Sequence, residues 1–280
     1  MRTVTFPDGR TAAALGQGTW YLGDSRATRA EEIRALRTGL DLGMTLVDTA
    51  EMYGNGAAEE LVGEAIAGRR DEVFLVSKVL PSNASRTGVV EACRRSLRRL
   101  RTDSLDLYLL HWAGPHPLEE TIAGFEQLLQ SGEIGGWGVS NFDEDELGGL
   151  PAGHAPGMAR GPQTNQILYN LTRRGPEFDL LPSSHDTGMP VMAYSPIEQG
   201  RLAGHPVLES IAARHGANTV QIALAWVLRV DHVIAIPKAG SSAHVRENRT
   251  ALDIVLSPED LAELDAAFAP PRSWQPLEML

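Results

Sequence analysis

The sequence predicts an α/β fold: a (β/α)8 TIM barrel forming one domain over residues 1–280, with an N-terminal β-hairpin and extra C-terminal helices. Three observations carry this. Apolar runs of strand length alternate with helical patterns from end to end. Eight such units fit in about 250 residues, the usual size of this barrel. The runs are almost continuously apolar, as strands are in a parallel sheet covered on both faces. The 280 residues are 42% hydrophobic, enough for one large core. A doubly wound sheet would want a GxGxxG turn after its first strand. Ala14-Leu15-Gly16-Gln17-Gly18-Thr19-Trp20 has two of those glycines, no third, and opens no helix.

The elements follow in order. Val4 to Thr11, with Pro7-Asp8-Gly9, reads as a hairpin. A first barrel strand fits Ala13 to Trp20. A helix follows, opened by the capping box Thr28-Arg29-Ala30-Glu31, striped by Ile33, Leu36 and Leu40, and stopped at Gly43. Strand Thr45 to Val47 leads to helix Ala57 to Ala67. Strand Val73 to Val76 leads to helix Gly88 to Leu100, with Val89, Cys93, Leu97 and Leu100 on its apolar stripe. Strand Leu105 to Leu110 leads to helix Leu118 to Gln130. Strand Gly136 to Val139 leads to the short helix Glu144 to Leu150. Strand Gln163 to Asn165 leads to a helix near Glu177 to Leu181. Strand Val191 to Ala193 leads to helices around Pro206 to Val230, and Trp226 reads as their core. Strand Val233 to Ile236 leads to helix Ala243 to Leu252. A last helix, Pro258 to Phe268, stops at Pro270-Pro271.

A net charge of −11 gives no general attraction for nucleic acid. The arginine run Arg94, Arg95, Arg98, Arg99 and Arg101 reads as a solvated helix face, with Glu91 placed four residues before Arg95. No apolar run reaches the ~20 residues of a membrane span, and the start has no signal-peptide core. The lone Cys93 forms no internal disulfide and reads as a small core residue. No HExxH or Cys/His spacing announces a metal. The expectation is a cytoplasmic, monomeric protein without a nucleic-acid or membrane partner.

Among 25 basic residues only Lys78 and Lys238 are lysine, and each ends a strand. Arginine is a broad, permanently charged fork, whereas lysine is a compact ammonium with a movable pKa. In this fold the active site lies at the carboxyl ends of the strands. There stand Asp48 and then Tyr53, Lys78, His111, Ser140-Asn141, Asn165-Gln166, Tyr194-Ser195 and Lys238. Each has a bland reading alone: Asp48 a helix cap, Tyr53 a loop aromatic, His111 a hydrogen-bonded core residue. Together they suit proton transfer to a carbonyl oxygen. A phenol has a pKa of ~10, and a neighbouring ammonium is expected to lower it. The carboxylate balances the ammonium, and the imidazole orients the carbonyl. None of these groups gives a hydride, so a cofactor is needed. Ser140, Asn141 and Gln166 suit a carboxamide and Tyr194 suits stacking on a flat ring. Lys238, the backbone of Ala239-Gly240-Ser241 and the following helix start suit a phosphate.

The chain strongly resembles the aldo-keto reductase superfamily. The motifs are Val47-Asp48-Thr49-Ala50 with Tyr53-Gly54, Ser77-Lys78, Leu109-Leu110-His111-Trp112, Gly138-Val139-Ser140-Asn141-Phe142, Gln163-Thr164-Asn165-Gln166, Ala193-Tyr194-Ser195-Pro196 and Ile236-Pro237-Lys238. The resemblance implies a bacterial carbonyl reductase using NADPH, with the tetrad Asp48, Tyr53, Lys78 and His111 and Tyr53 as the acid. It implies cofactor contacts from Thr19, Trp20, Asp48, Ser140, Asn141, Gln166, Tyr194, Ser195, Pro196, Ile197, Ile236, Lys238, Ala239, Gly240, Ser241, His244, Glu247 and Asn248. Two positions depart from the family pattern near the adenosine 2′-phosphate. Ala239 stands where Ser or Thr is usual, and His244 where Arg is usual. NADPH is still expected over NADH. An open, aromatic substrate pocket is expected from Trp20, Tyr21, Tyr53, His111, Trp112 and Trp274, the last folding over the mouth. Rival readings are a sugar, steroid or prenyl-type carbonyl reductase, a nicotinamide-binding sensor or accessory subunit, and a metal-dependent barrel hydrolase.

Overall fold

The structure, a computed structural model, describes residues 2–151, 154–155, 158–159 and 161–280. The chain opens with β1 (Thr3–Thr5) and β2 (Thr11–Ala13), an antiparallel hairpin. Eight parallel strands follow: β3 (Gln17–Gly18), β4 (Leu46–Asp48), β5 (Phe74–Val79), β6 (Leu107–Leu110), β7 (Trp137–Ser140), β10 (Asn165–Leu168), β11 (Val191–Tyr194) and β12 (Val233–Ala235). Between β7 and β10 lies a small antiparallel pair, β8 (His154–Ala155) and β9 (Met158–Ala159), which no sequence signal announces.

The barrel closes where β12 returns to β3. The Gly16 amide donates to Ala235 O at 2.8 Å, and the Gly18 amide donates to Pro237 O at 3.0 Å. Closure requires glycine at position 18, because a Cβ there would lie 2.7 Å from Ile236 O. The expected first strand, Ala13 to Trp20, therefore divides. Its beginning belongs to the hairpin, and only its middle pairs with β4.

The helices are α1 (Arg29–Asp41), α2 (Ala57–Ala65), α3 (Arg86–Leu100), α4 (Leu118–Ser131), α5 (Glu144–Gly148), α6 (Leu180–Thr187), α7 (Pro206–His215), α8 (Thr219–Leu228), α9 (Ser242–Thr250) and α10 (Pro258–Ala267). The capping box expected at Thr28 does not form. The Thr28 hydroxyl instead donates to Glu32 Oε1 at 2.8 Å, and its own backbone is already helical. The expected Glu91–Arg95 pair is also replaced, since Arg95 turns to Glu51 at 3.6 Å. Cys93 lies buried on the α3 stripe and Trp226 lies fully buried on α8.

Alternation along the strands sorts residues between two apolar clusters. Leu46, Val76, Leu107 and Leu109 join one cluster with Val4 and Phe6 of the hairpin, and Phe6 stacks on Phe74 at 5.0 Å. Val47, Leu75, Tyr108 and Leu110 join the other, with Leu36, Leu61, Val89 and Phe125 from the surrounding helices. Successive strand residues point to opposite faces. Asp48, Lys78 and His111 therefore share the inward face with Leu46, Val76 and Leu109, one step nearer the carboxyl end. No helix among the described residues is long and apolar enough to cross a membrane. No group of three or more His, Cys, Asp or Glu among them is placed to hold a metal.

Candidate active site

Lys78 ends the inward row of β5 and is fully buried. Its ammonium donates to Asp48 Oδ2 at 2.8 Å, to Thr49 O at 2.9 Å and to the Tyr53 hydroxyl oxygen at 3.0 Å. All three donor hydrogens of the ammonium are thereby used. The second Asp48 oxygen accepts from Gln166 Nε2 at 2.8 Å. The Thr19 hydroxyl donates to Asp48 O at 2.9 Å. A second chain of bonds runs around the mouth. The Tyr194 hydroxyl donates to Asn141 Oδ1 at 2.9 Å, Asn141 Nδ2 donates to His111 O and to Ser140 Oγ, and Ser140 Oγ donates to Gln166 O at 2.8 Å. The His111 ring stands edge-on to Tyr53 with centroids 5.8 Å apart. His111 Nδ1 is buried without a hydrogen-bond partner among the described residues.

Three non-glycine residues at strand ends hold left-handed backbone: Tyr21 (φ 65°), Asn141 (φ 60°) and Ser195 (φ 46°). Such conformations cost about 1–3 kcal/mol each and gather where the surrounding structure aims a side chain at a site.

Burial sets the electrostatics. It works against the Lys78 ammonium, but the Asp48 carboxylate, then Tyr53, outweigh it and hold the lysine above its ordinary range. Burial, aided by the Lys78 charge, pushes the His111 imidazole down to about 2, so it is neutral at pH 7. The expectation that the ammonium lowers the Tyr53 phenol fails. Lys78 does pull it down, but burial, with Asp48 adding to it, leaves the phenol above its ordinary value. Burial also raises Tyr194 to about 12.

Tyr53, Asp48, His111 and the Ser140–Asn141–Tyr194 chain line a cavity of about 610 Å³, and Lys78 lies behind that lining, reaching it through Tyr53 and Asp48. Among the expected residues, Thr19, Trp20, Tyr21, Asp48, Tyr53, His111, Trp112, Ser140, Asn141, Gln166, Tyr194, Ser195, Pro196, Ile197, Ile236 and Lys238 line it. Trp20 and Tyr21 stack on each other at its edge, 4.5 Å apart. Ala239, Gly240, Ser241, His244, Glu247 and Asn248 lie outside the lining, before and along α9. Ser241 caps that helix, its hydroxyl accepting from the His244 amide at 3.3 Å. Trp274 is a correction. It is half-exposed and does not line the cavity, and Met279 and Leu280 line the mouth in its place. The tail reaches there because Glu278 pairs with Arg173 at 2.5 Å and Leu277 packs on the core. Met52, Gln199 and Gly200 also line the cavity without any signal in the sequence beyond their nearness to Tyr53 and Tyr194.

Residues 14–269 match the Aldo/keto reductase family. Methylglyoxal reductase YeaE of Escherichia coli strain K12 is 47% identical over 287 residues, covering 100% of this chain and 99% of that protein. An aldo-keto reductase from Klebsiella pneumoniae, solved with NADPH, superposes with a TM-score of 0.93 at 46% identity, covering 100% of this chain and 99% of the other. A Klebsiella pneumoniae aldo/keto reductase solved with NADP and acetate gives 0.94 at 48% identity and the same coverage. The chain belongs to the aldo/keto reductase family. It is an oxidoreductase, and carbonyl reduction is its class of activity.

Proposed function

We propose that the protein reduces small neutral aldehydes and ketones to alcohols with NADPH, 2-oxoaldehydes of the methylglyoxal type first among them. It would thus belong with the oxidoreductases acting on CH–OH groups. The observation that carries the reading is the Lys78 ammonium, buried and shared between Asp48 and the Tyr53 hydroxyl at the cavity floor. The residues present fit the cofactor. Ser140, Asn141 and Gln166 offer a hydroxyl and two amides to a carboxamide, and Tyr194 offers a ring face. Lys238, the one exposed lysine at the lining, offers a cation to a phosphate. When bound, NADPH supplies the hydride.

The side chains do the rest. Neutral His111 orients the carbonyl oxygen toward Tyr53. Tyr53 gives its proton to the oxygen as negative charge develops there, a contribution of ~10² to 10⁴ in rate for a positioned acid. Lys78 stabilises the phenolate left behind, and Asp48 holds Lys78 in place. Trp20, Tyr21, Met52, Trp112, Met279 and Leu280 wall the mouth. Lys238 is the only cationic side chain lining the cavity among the described residues; with it given to the cofactor phosphate, the lining keeps no cation for an anionic substrate, which favours neutral ones. The Escherichia coli relative's name supports the small 2-oxoaldehyde.

The test is the loss of reduced-nicotinamide absorbance with methylglyoxal, other 2-oxoaldehydes, aromatic aldehydes and carboxylate-bearing carbonyls. Methylglyoxal is expected among the highest kcat/KM values and the carboxylates among the lowest. The dissociation constant should be lower for NADPH than for NADH, since one charged hydrogen bond is worth ~1.5–3 kcal/mol. Binding of NADPH without turnover of any carbonyl would overturn the reading. Equal affinity for NADH would overturn its cofactor part.

A further inference from the structure

Glu51 stands between Asp48 and Tyr53, and no step above uses it. It is buried. One carboxylate oxygen accepts from the Leu80 amide at 2.8 Å and from Asn83 Nδ2 at 2.9 Å. Its other oxygen lies 3.6 Å from the Arg95 guanidinium. Leu80 comes two residues after Lys78, so Glu51 ties the segment that carries Tyr53 to the strand that carries Lys78.

A parallel arrangement lies below it. Arg99 donates to the fully buried Glu59 at 2.5 Å, and the other Glu59 oxygen accepts from the Ser77 hydroxyl at 2.6 Å. Two arginines of α3 thus reach, through two buried glutamates, to both sides of Lys78. That part of the arginine run supports the site.

The backbone shows why the upper tie matters. Segment 49–53 runs beside β5, with the Thr49 amide on Val76 O at 2.9 Å and the Glu51 amide on Lys78 O at 3.4 Å. The bonds lengthen along the segment. The Tyr53 amide no longer reaches β5 and bonds back to Ala50 O at 3.1 Å. The chain then turns left-handed through Gly54, Asn55 and Gly56. Among the described residues, the Glu51 side chain is the last hydrogen-bonded cross-link between this segment and the β5–α3 connection before Tyr53. The Tyr53 hydroxyl meets Lys78 at 3.0 Å, an ordinary N–H···O distance, and a drift of the segment by a few tenths of an ångström would carry it past the ~3.2 Å limit of a normal hydrogen bond.

We propose that Glu51 is a positioning residue: its carboxylate, held by Leu80, Asn83 and Arg95, fixes the Tyr53 hydroxyl against Lys78 and toward the cavity. This rests on the assignment of Tyr53 as proton donor. A misplacement of about 1 Å costs on the order of 10²-fold in rate, which sets the scale of the effect.

The test compares Glu51→Ala, Glu51→Gln and Asn83→Ala with wild type and with Tyr53→Phe, each normalised to its stoichiometry of NADPH binding. Glu51→Ala is expected to lower kcat about 10- to 100-fold, with carbonyl KM and NADPH affinity within about twofold of wild type. The solvent deuterium isotope effect on kcat should rise as proton transfer becomes limiting. Glu51→Gln keeps an acceptor for Leu80 and Asn83 and should recover most of the rate. Asn83→Ala removes one donor and should show the same pattern, about three- to tenfold. Wild-type kcat in Glu51→Ala would overturn the proposal, as would a loss that Gln does not recover. If Glu51→Ala does not fold, an unchanged kcat and isotope effect in Asn83→Ala overturns it. Retained activity in Tyr53→Phe would instead refute the underlying proton-donor assignment.

Discussion

Replacing Lys78 by methionine separates what the buried cluster does for folding from what it does for chemistry. The side chain is fully buried and its partner Asp48 is 2% exposed. Methionine roughly preserves volume but leaves the Asp48 carboxylate with Gln166 as its only side-chain hydrogen-bond donor among the described residues. Removing one partner of a buried pair costs about 3–5 kcal/mol. For a chain of this size that is roughly 6–10 °C in Tm, at about 2 °C per kcal/mol. Removing both charges, in Lys78→Met/Asp48→Asn, leaves a neutral amide beside an apolar chain and should recover all but about 1–2 kcal/mol. Activity should not recover, because neither variant stabilises the Tyr53 phenolate. Both should lose about 10²- to 10⁴-fold in kcat. Calorimetry and NADPH consumption on the two variants read the two quantities separately. A double variant as unstable as the single one, or one regaining wild-type kcat, would refute the reasoning.

Other outcomes follow from the same geometry. His111 is held neutral down to about 2 by burial and the Lys78 charge, whereas in the unfolded chain it takes up a proton below ~6.5. The folded state therefore binds fewer protons across that window. Its stability is full above pH ~6.5 and falls as pH drops, by up to about 1.4 kcal/mol per unit. Between pH 6 and 4.5, denaturant titrations should show wild type losing up to about 2 kcal/mol more than His111→Asn; parallel losses would contradict this. Gly18→Ala places a Cβ 2.7 Å from Ile236 O at the barrel seam and should cost about 1–3 kcal/mol, read as a lower denaturation midpoint at constant m; unchanged stability would contradict the closure described.

The strand ends were legible because their signal is local. Alternation puts Asp48, Lys78 and His111 in step with inward apolar residues, and eight repeats of one unit leave few folds to consider. Long-range contacts were not legible. Met279 and Leu280 reach the mouth because Glu278 finds Arg173, more than a hundred residues away in sequence, while Trp274, the more conspicuous tail residue, does not. The arginines of α3 suggested a solvated face because a nearby Glu91 offered a local partner. Arg94, Arg98 and Arg101 do lie exposed, but Arg95 and Arg99 turn to Glu51 and Glu59 of other elements. The sign of the Tyr53 shift was missed for a related reason. The charge of Lys78 is visible in the motif, but burial, the larger influence, depends on the whole cavity. Boundaries drifted at Ala13 to Trp20, where closure is decided by the distant β12, and at Thr28, where Glu32 one turn on takes the hydroxyl in place of the cap.

The account turns on Tyr53 as the acid of a nicotinamide-dependent carbonyl reductase. The most direct test is Tyr53→Phe, measured for methylglyoxal reduction with NADPH and for NADPH affinity on the same preparation. The account predicts a kcat lower by about 10²- to 10⁴-fold with the NADPH dissociation constant within a few-fold of wild type. A variant that reduces methylglyoxal at the wild-type rate would contradict it.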